Sequence, residues 1–286
     1  MERRPAREPG PAGGAQQPER TNGAQQPGRA AGRGGGSGPG TGPVLGRALQ
    51  ILGAFSARHP AMTLSELARR AGLPVSTVHR MLADLIAWGA LERGADGRYR
   101  IGLRLWEVGS LAPRGLGLRE RALPFLEDLS QITHENVQLA VREGCEVVFV
   151  ERIAGSGAVP VLTRVGGRFA LTATGVGLVL LAHAPQDVQE QVLAGPFERF
   201  TERTVTDPRT LRSMLAEIRA HGYAVSDRQV TMDALSVAAP VRGERDEVVA
   251  AVSLVVRHGT TSPRALAGLV GTSARAMSRA MGASGS

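Results

Sequence analysis

The chain has 286 residues, 42% of them apolar, with 34 basic and 26 acidic side chains, a formal net charge of +8 and one cysteine. That length suits two ordinary domains, and a lone Cys145 excludes an internal disulfide or a multi-cysteine zinc site. No apolar run nears the roughly 18 residues of a bilayer span, and the N-terminus lacks the apolar core of a signal peptide, so the expectation is a cytoplasmic protein with no membrane partner.

The charge is uneven. Residues 1–42 carry six Arg and three Glu; residues 43–101 carry eight Arg against Glu66, Asp84, Glu92 and Asp96. Nearly all the positive excess therefore precedes residue 102, which points to a polyanion partner for the N-terminal part.

Residues 1–42 are Gly, Pro, Gln and Arg with little to bury. A disordered extension is expected there, because such a segment cannot recover its ordering entropy. A first helix follows Pro43, with Val44, Leu45, Ala48, Leu49, Ile51, Leu52 and Phe55 at helical spacing. Thr63-Leu64-Ser65-Glu66 then reads as a capping box. Leu64, Leu67, Ala68 and Ala71 stripe a short second helix, which Gly72-Leu73-Pro74 breaks. Val75, Val78, Leu82 and Leu85 stripe a third. Two such helices around a Gly turn form a helix-turn-helix, leaving Ser76, Thr77, His79 and Arg80 outside near the start of the second, where a recognition helix meets base edges. Residues 90–93 and 98–101 alternate around Asp96-Gly97, a hairpin signal. Three helices and a basic hairpin make a winged helix-turn-helix over residues 43–101, with Arg98 and Arg100 at the wing.

Residues 102–117 read as a linker helix whose Leu103, Leu105, Trp106, Val108 and Leu111 call for a partner subunit. The second domain spans residues 118–281, with a short tail at 282–286. Helices are expected at 118–133, 174–183, 185–193, 208–221 and from Ser262-Pro263 to about Met281. Strands are expected at 136–142, 145–153, 158–164, 223–226, 235–241 and 247–256, with the run Val147-Val148-Phe149-Val150 as a central strand. This order predicts an α+β domain built on one antiparallel sheet.

Over some 240 residues the chain resembles the IclR family of bacterial transcription regulators. The resemblance rests on VLGRALQILGAF, LSELARRAGLPVSTVHRMLADL, GRYRIGLRLWEVGSLA, ALPFLEDLS, VQLAVREGCEVVFVERI, VGGRFALTATGVGLVLLA, HGYAVSD and VAAPVR…VVAAVSLVV. It implies a GAF-like effector-binding C-terminal domain, double-stranded operator DNA as partner, homodimers or dimers of dimers, a small organic acid as effector, and no cofactor. Its DNA-contacting positions fall on Ser76, Thr77 and Arg80, with Arg47 and Arg98 near phosphates; Thr63 and His79 complete the DNA-facing set. Its effector pocket falls on Thr174, Gly175 and Val176, on Ser226 or Asp227, and on Ser236 and Ser253, with Val161 and Phe169 as apolar walls. Amides at a helix start beside hydroxyls suit a carboxylate. Many members carry Asp in place of Ser226, a basic residue in place of Leu178 and a small polar residue in place of Val255. That departure favours a bulkier, less polar ligand than a two- or three-carbon acid.

Two other readings differ in class. An enzyme would need a competent nucleophile or metal set, but Cys145 lies between Glu143 and Glu146, which oppose thiolate formation. The six histidines show no metal-ligand spacing. Alternatively, the C-terminal domain only oligomerises and binds no ligand; a cavity beside Gly175, Ser236 and Ser253 would argue for a sensor instead.

Overall fold

The computed structural model describes residues 43–56 and 58–283. The expected disordered extension at 1–42 and most of the tail, residues 284–286, lie outside the described residues.

The N-terminal part runs α1 (Val44–Gly53), β1 (Ala61–Met62), α2 (Leu64–Ala71), α3 (Val75–Ala87), β2 (Leu91–Arg93) and β3 (Tyr99–Ile101). Ile51, Leu67, Val78, Leu82 and Leu91 come from four elements and meet in one buried cluster. Each such side chain contributes about 1.5–3 kcal/mol by leaving water, an upper figure. At the start of α2 the Glu66 amide donates to Thr63 Oγ1 at 3.3 Å, and the Thr63 amide donates to Glu66 Oε2 at 2.8 Å. Gly72 ends α2 at φ 67°, a left-handed conformation open to glycine at no steric cost. The hairpin β2–β3 turns through Gly94–Gly97, and β1 adds a third strand in the order β1-β3-β2. This short strand was absent from the sequence reading, since two residues carry no alternation.

Helix α4 (Leu103–Ser110) follows and buries none of its residues. Trp106 is 64% exposed and Leu111, just past its end, 79%, so this apolar face has no cover among the described residues. A single π-type turn (Pro113–Gly117) leads into α5 (Leu118–Thr133).

The remaining elements are β4 (Asn136–Glu143), β5 (Glu146–Ile153), β6 (Arg168–Ala170), α6 (Gly175–Ala182), α7 (Gln186–Leu193), α8 (Pro208–His221), β7 (Ala224–Asp227), β8 (Ala234–Arg242), β9 (Val248–Arg257) and α9 (Pro263–Ala280). They build one six-stranded antiparallel sheet, ordered β6-β5-β4-β9-β8-β7. Side chains alternate between its faces. Val137, Leu139, Val237, Val252 and Leu254 pack beneath α5 and α9 with Leu126, Val270 and Met277. Ala140, Ala238 and Ala251 face the other way, toward α6 and α8. These alanines let α6 approach the sheet closely. All eight α6 residues are buried, so the helix is apolar all round.

Two expectations are corrected. Residues 158–164 form no strand; Pro160 interrupts them, and the third strand is β6, paired with β5 through Val147 opposite Phe169. The run Val147–Val150 is not central either. It lies one strand from the β6 edge, and β4 and β9 hold the centre. The run is continuous because both faces of β5 are covered: Val147 and Phe149 enter the core under α6, and Val148 and Val150 pack against the core under α5 and α9. Val150 is also the extra residue of a bulge opposite Leu139 and Ala140 of β4.

Candidate nucleic-acid interface and ligand pocket

Helix α3 presents Ser76, His79 and Arg80 to solvent, with Thr77 half-buried and Val78 inserted into the core. Pro74 precedes the helix and no side chain caps its start, so the first amides of α3 keep their donors for an outside acceptor. Arg80 makes no hydrogen bond or ion pair among the described residues.

The wing arginines are differently placed. Arg98 Nη1 donates to Glu66 Oε2 at 3.2 Å and to the Ala61 carbonyl at 3.3 Å, tying β3 to the cap of α2. The Thr63 amide and hydroxyl, with Arg98, hold the Glu66 carboxyl below the usual carboxylate range. Arg100 donates to both oxygens of Asp96, at 3.0 and 2.6 Å. Thr63 and Arg98 thus fix the shape of the motif, and Arg47 is half-buried on α1.

The Arg100 guanidinium, followed by the Arg98 amide, holds the Asp96 carboxyl down to about 2. A depressed acid contributes stability above its ordinary value of 3.8 and loses it as pH falls through about 2. In a carboxyl-carbon NMR titration, Asp96 is expected to titrate near 2, and Arg100→Ala to return its midpoint toward 3.8. An unchanged midpoint in the variant would show that Arg100 does not hold the charge.

The second site lies on the α6 face of the large sheet. Register places Ser226, Ser236, Val255 and Asn136 in one row across β7, β8, β9 and β4, with Ala224, Ala238, Ser253 and Gln138 in the next. The start of α6 sits over these rows. Thr174 Oγ1 caps it by accepting the Gly177 amide at 3.0 Å. A Cβ on Gly175 would lie 2.7 Å from Ser236 Oγ and 3.3 Å from Ala238 Cβ, so any other residue would have to displace Ser236 or lift α6 from the sheet. Around it, a small cavity that opens to solvent is lined by residues that include Gln138, Thr163, Thr174, Ser226, Gln229 and Ser236; with the adjoining solvent counted, the empty space is about 420 Å³. Val161, Leu162, Val230 and Val255 supply apolar wall, and none of the described lining residues is charged.

Of the expected pocket residues, Val161, Thr174, Ser226 and Ser236 line the cavity, and Gly175 abuts Ser236. Ser226 Oγ donates to the Ala173 carbonyl at 2.7 Å. Ser253 is fully buried on the same sheet face, and its Oγ has no hydrogen-bond partner among the described residues. Val176 is buried in the α6 core and Leu178 with it. Asp227 is taken up at the edge by Arg228 and by His258 at 2.9 Å, and Arg228 chiefly holds its carboxyl below the usual range. Phe169 is not on the cavity wall: it stacks on Phe200, with ring centroids 5.3 Å apart, and meets Phe149 edge-on. It is six residues from Gly175 in sequence, yet β6 is the sheet edge farthest from the β7–β8 side.

Sequence reasoning missed Gln138, Thr163, Gln229 and Thr231. Gln138 carried a signal: it is a lone amide inside the apolar stretch Val137–Val141. Gln229 carried none, because its place comes from loop contacts, with its Oε1 accepting the Val205 amide at 3.2 Å.

Known families and structures match this layout. Residues 44–95 match the family described as IclR helix-turn-helix domain, and residues 112–279 match Bacterial transcriptional regulator IclR C-terminal. The chain belongs to the IclR family of bacterial transcriptional regulators. It is 35% identical over 229 residues to the HTH-type transcriptional regulator BhcR of Paracoccus denitrificans, covering 79% of this chain and 81% of that one. It is 31% identical to the glycerol operon regulatory protein of Streptomyces coelicolor, over 84% of this chain and 96% of the relative. A solved IclR homolog from Microbacterium hydrocarbonoxydans, complexed with 4-hydroxybenzoate, is 39% identical and superposes with a TM-score of 0.79, covering 84% of this chain and 99% of its own. As an IclR-type regulator the protein binds DNA through its winged helix-turn-helix. No helix among the described residues is long and apolar enough to cross a membrane, and no cluster of His, Cys, Asp or Glu there could hold a metal.

Proposed function

We propose that the cavity under α6 binds a small organic acid and that binding changes the affinity of α3 for operator DNA. The observation that carries this reading is the α6 start set against Ser236 and Ala238, with the buried hydroxyl of Ser253, unpartnered among the described residues, opposite Ala238 on the same sheet face. First-turn amides favour a carboxylate, and a buried hydroxyl without an acceptor costs free energy that a ligand oxygen recovers. The apolar wall and the absence of a charged lining residue favour an acid with an apolar body. The 4-hydroxybenzoate in the Microbacterium homolog supports an aromatic one. A domain that only oligomerises needs no such cavity, which favours the sensor.

In this reading residues 43–101 are the DNA-binding domain, 102–117 the linker and 118–281 the effector domain. Ser76, Thr77, His79 and Arg80 meet the operator's bases and backbone, with Arg47 near phosphates. The bare apolar face of α4 pairs with a second copy, setting two recognition helices on two half-sites. The ligand then acts by favouring one arrangement of that pair.

The test is to select bound DNA from a random library, then measure its affinity by fluorescence anisotropy across a panel of small acids. At least one acid is expected to shift the dissociation constant by about 5- to 150-fold. Normal DNA binding that no acid alters, with none bound by calorimetry, would refute the proposal.

A further inference from the structure

Gln138 is 3% exposed in the middle of β4, and its neighbours Val137 and Leu139 point into the opposite core. A primary amide buried there is costly unless its polar atoms are used. Its Nε2 donates to Thr163 Oγ1 at 2.6 Å. Thr163 is itself 8% exposed, and both residues line the cavity.

That hydrogen bond uses one of the two amide N–H groups and one hydroxyl lone pair. It leaves the Gln138 carbonyl as an acceptor beside the Thr163 hydroxyl proton and the second amide N–H as donors. The inverted amide presents the same pair with the roles exchanged. An adjacent donor and acceptor match a neutral hydroxyl, which both gives and takes a hydrogen bond. A carboxylate has no proton for the carbonyl, and an ammonium has no lone pair for the hydroxyl.

We infer that Gln138 and Thr163 determine specificity by reading a neutral hydroxyl on the effector, at the end away from its carboxylate. This rests on the cavity being the acid site. The α6 start lies against Ser236 and Ala238 of β8, whereas Gln138 lies on β4. Strand β9 intervenes, so the two stations are separated by two strand spacings, roughly 10 Å between backbones. A two- or three-carbon acid held at α6 does not reach Gln138. A single ring bearing a hydroxyl opposite the carboxylate does, with its faces against Val161, Leu162, Val230 and Val255.

Calorimetry on the full chain tests this with benzoate, 2-hydroxybenzoate and 4-hydroxybenzoate as probes. The 4-hydroxy acid is expected to bind at least about tenfold tighter than benzoate, because benzoate leaves the buried pair unanswered. The 2-hydroxy isomer should gain nothing. Gln138→Leu and Thr163→Val should each bring the 4-hydroxy preference within about twofold, and Thr163→Ser should keep it. Equal wild-type affinity for benzoate and 4-hydroxybenzoate overturns the inference while leaving the acid site standing. So does a wild type that binds glyoxylate or pyruvate but none of the three probes. Failure of every acid to bind overturns the site and the inference together. The deciding ratio is measured on the wild type, so it survives a variant that does not fold.

Discussion

Replacing Arg80 by alanine is expected to weaken binding to a selected operator by about 1–3 kcal/mol, roughly 5- to 150-fold. The side chain is exposed two turns into α3 and is engaged by no group among the described residues. Its five donors are therefore available to a guanine edge or a phosphate. The mode of contact is separable. A base contact relaxes sequence preference at one position, whereas a phosphate contact weakens all sequences alike and lowers the salt slope by about one. Affinity for acid ligands should not move, because Arg80 does not line the cavity. Wild-type operator affinity in the variant would remove α3 from the recognition role. Arg98→Ala is a different experiment, since it also breaks the tie from the wing to Glu66 and Ala61.

Phe149→Ala is expected to destabilise the C-terminal domain by about 3–5 kcal/mol, read as a shift in the urea midpoint with an unchanged slope. The ring is 1% exposed and among the largest fully buried side chains. It stands edge-on to Phe169 at 6.3 Å, and Phe169 stacks on Phe200 at 5.3 Å and 26°. Truncation leaves a cavity and also removes an aromatic contact worth about 0.5–1.5 kcal/mol beyond area. Phe149 pairs with Ala140 of β4, two residues from Gln138. Loosening it should therefore weaken ligand binding as well. A loss below about 1 kcal/mol would mean that the three rings do not form a shared core.

Local chemistry accounts for the parts that were legible from residues alone. The capping box at Thr63 and Glu66, the Gly72 stop, the Asp207-Pro208 and Ser262-Pro263 helix starts and the Asp96-Gly97 turn each act within four residues of themselves. Their neighbours in sequence are their partners in space. Short apolar runs bounded by turn residues placed β4, β8 and β9 to within a residue or two, since a strand covered on both faces is apolar along its length. β1 and β6 were missed because so few residues show no pattern without a hairpin turn such as Asp96-Gly97 beside them; pairing alone defines them.

The candidate pocket divides along the same line. Thr174, Gly175, Ser226 and Ser236 were legible through a helix start and a family resemblance, and they do converge on the cavity. Phe169, expected on the pocket wall through the resemblance, lies instead on the β6 edge against Phe149 and Phe200. Gln229 and Thr163 were invisible because loops deliver them, and a loop's path follows from what it packs on. The wing showed a further gap. Charge counting registers Arg98 and Arg100 as free cations, while folding pairs them with Glu66 and Asp96.

The amino-acid order by itself determined a winged helix-turn-helix followed by an antiparallel α+β domain, because caps, turns and periodicity are written in consecutive residues. Only the tertiary structure decided which polar groups remain available for a ligand or for DNA. A side chain's free donors and acceptors are what its spatial neighbours leave unused. Those neighbours, such as Thr163 beside Gln138, 25 residues away, are chosen by the fold.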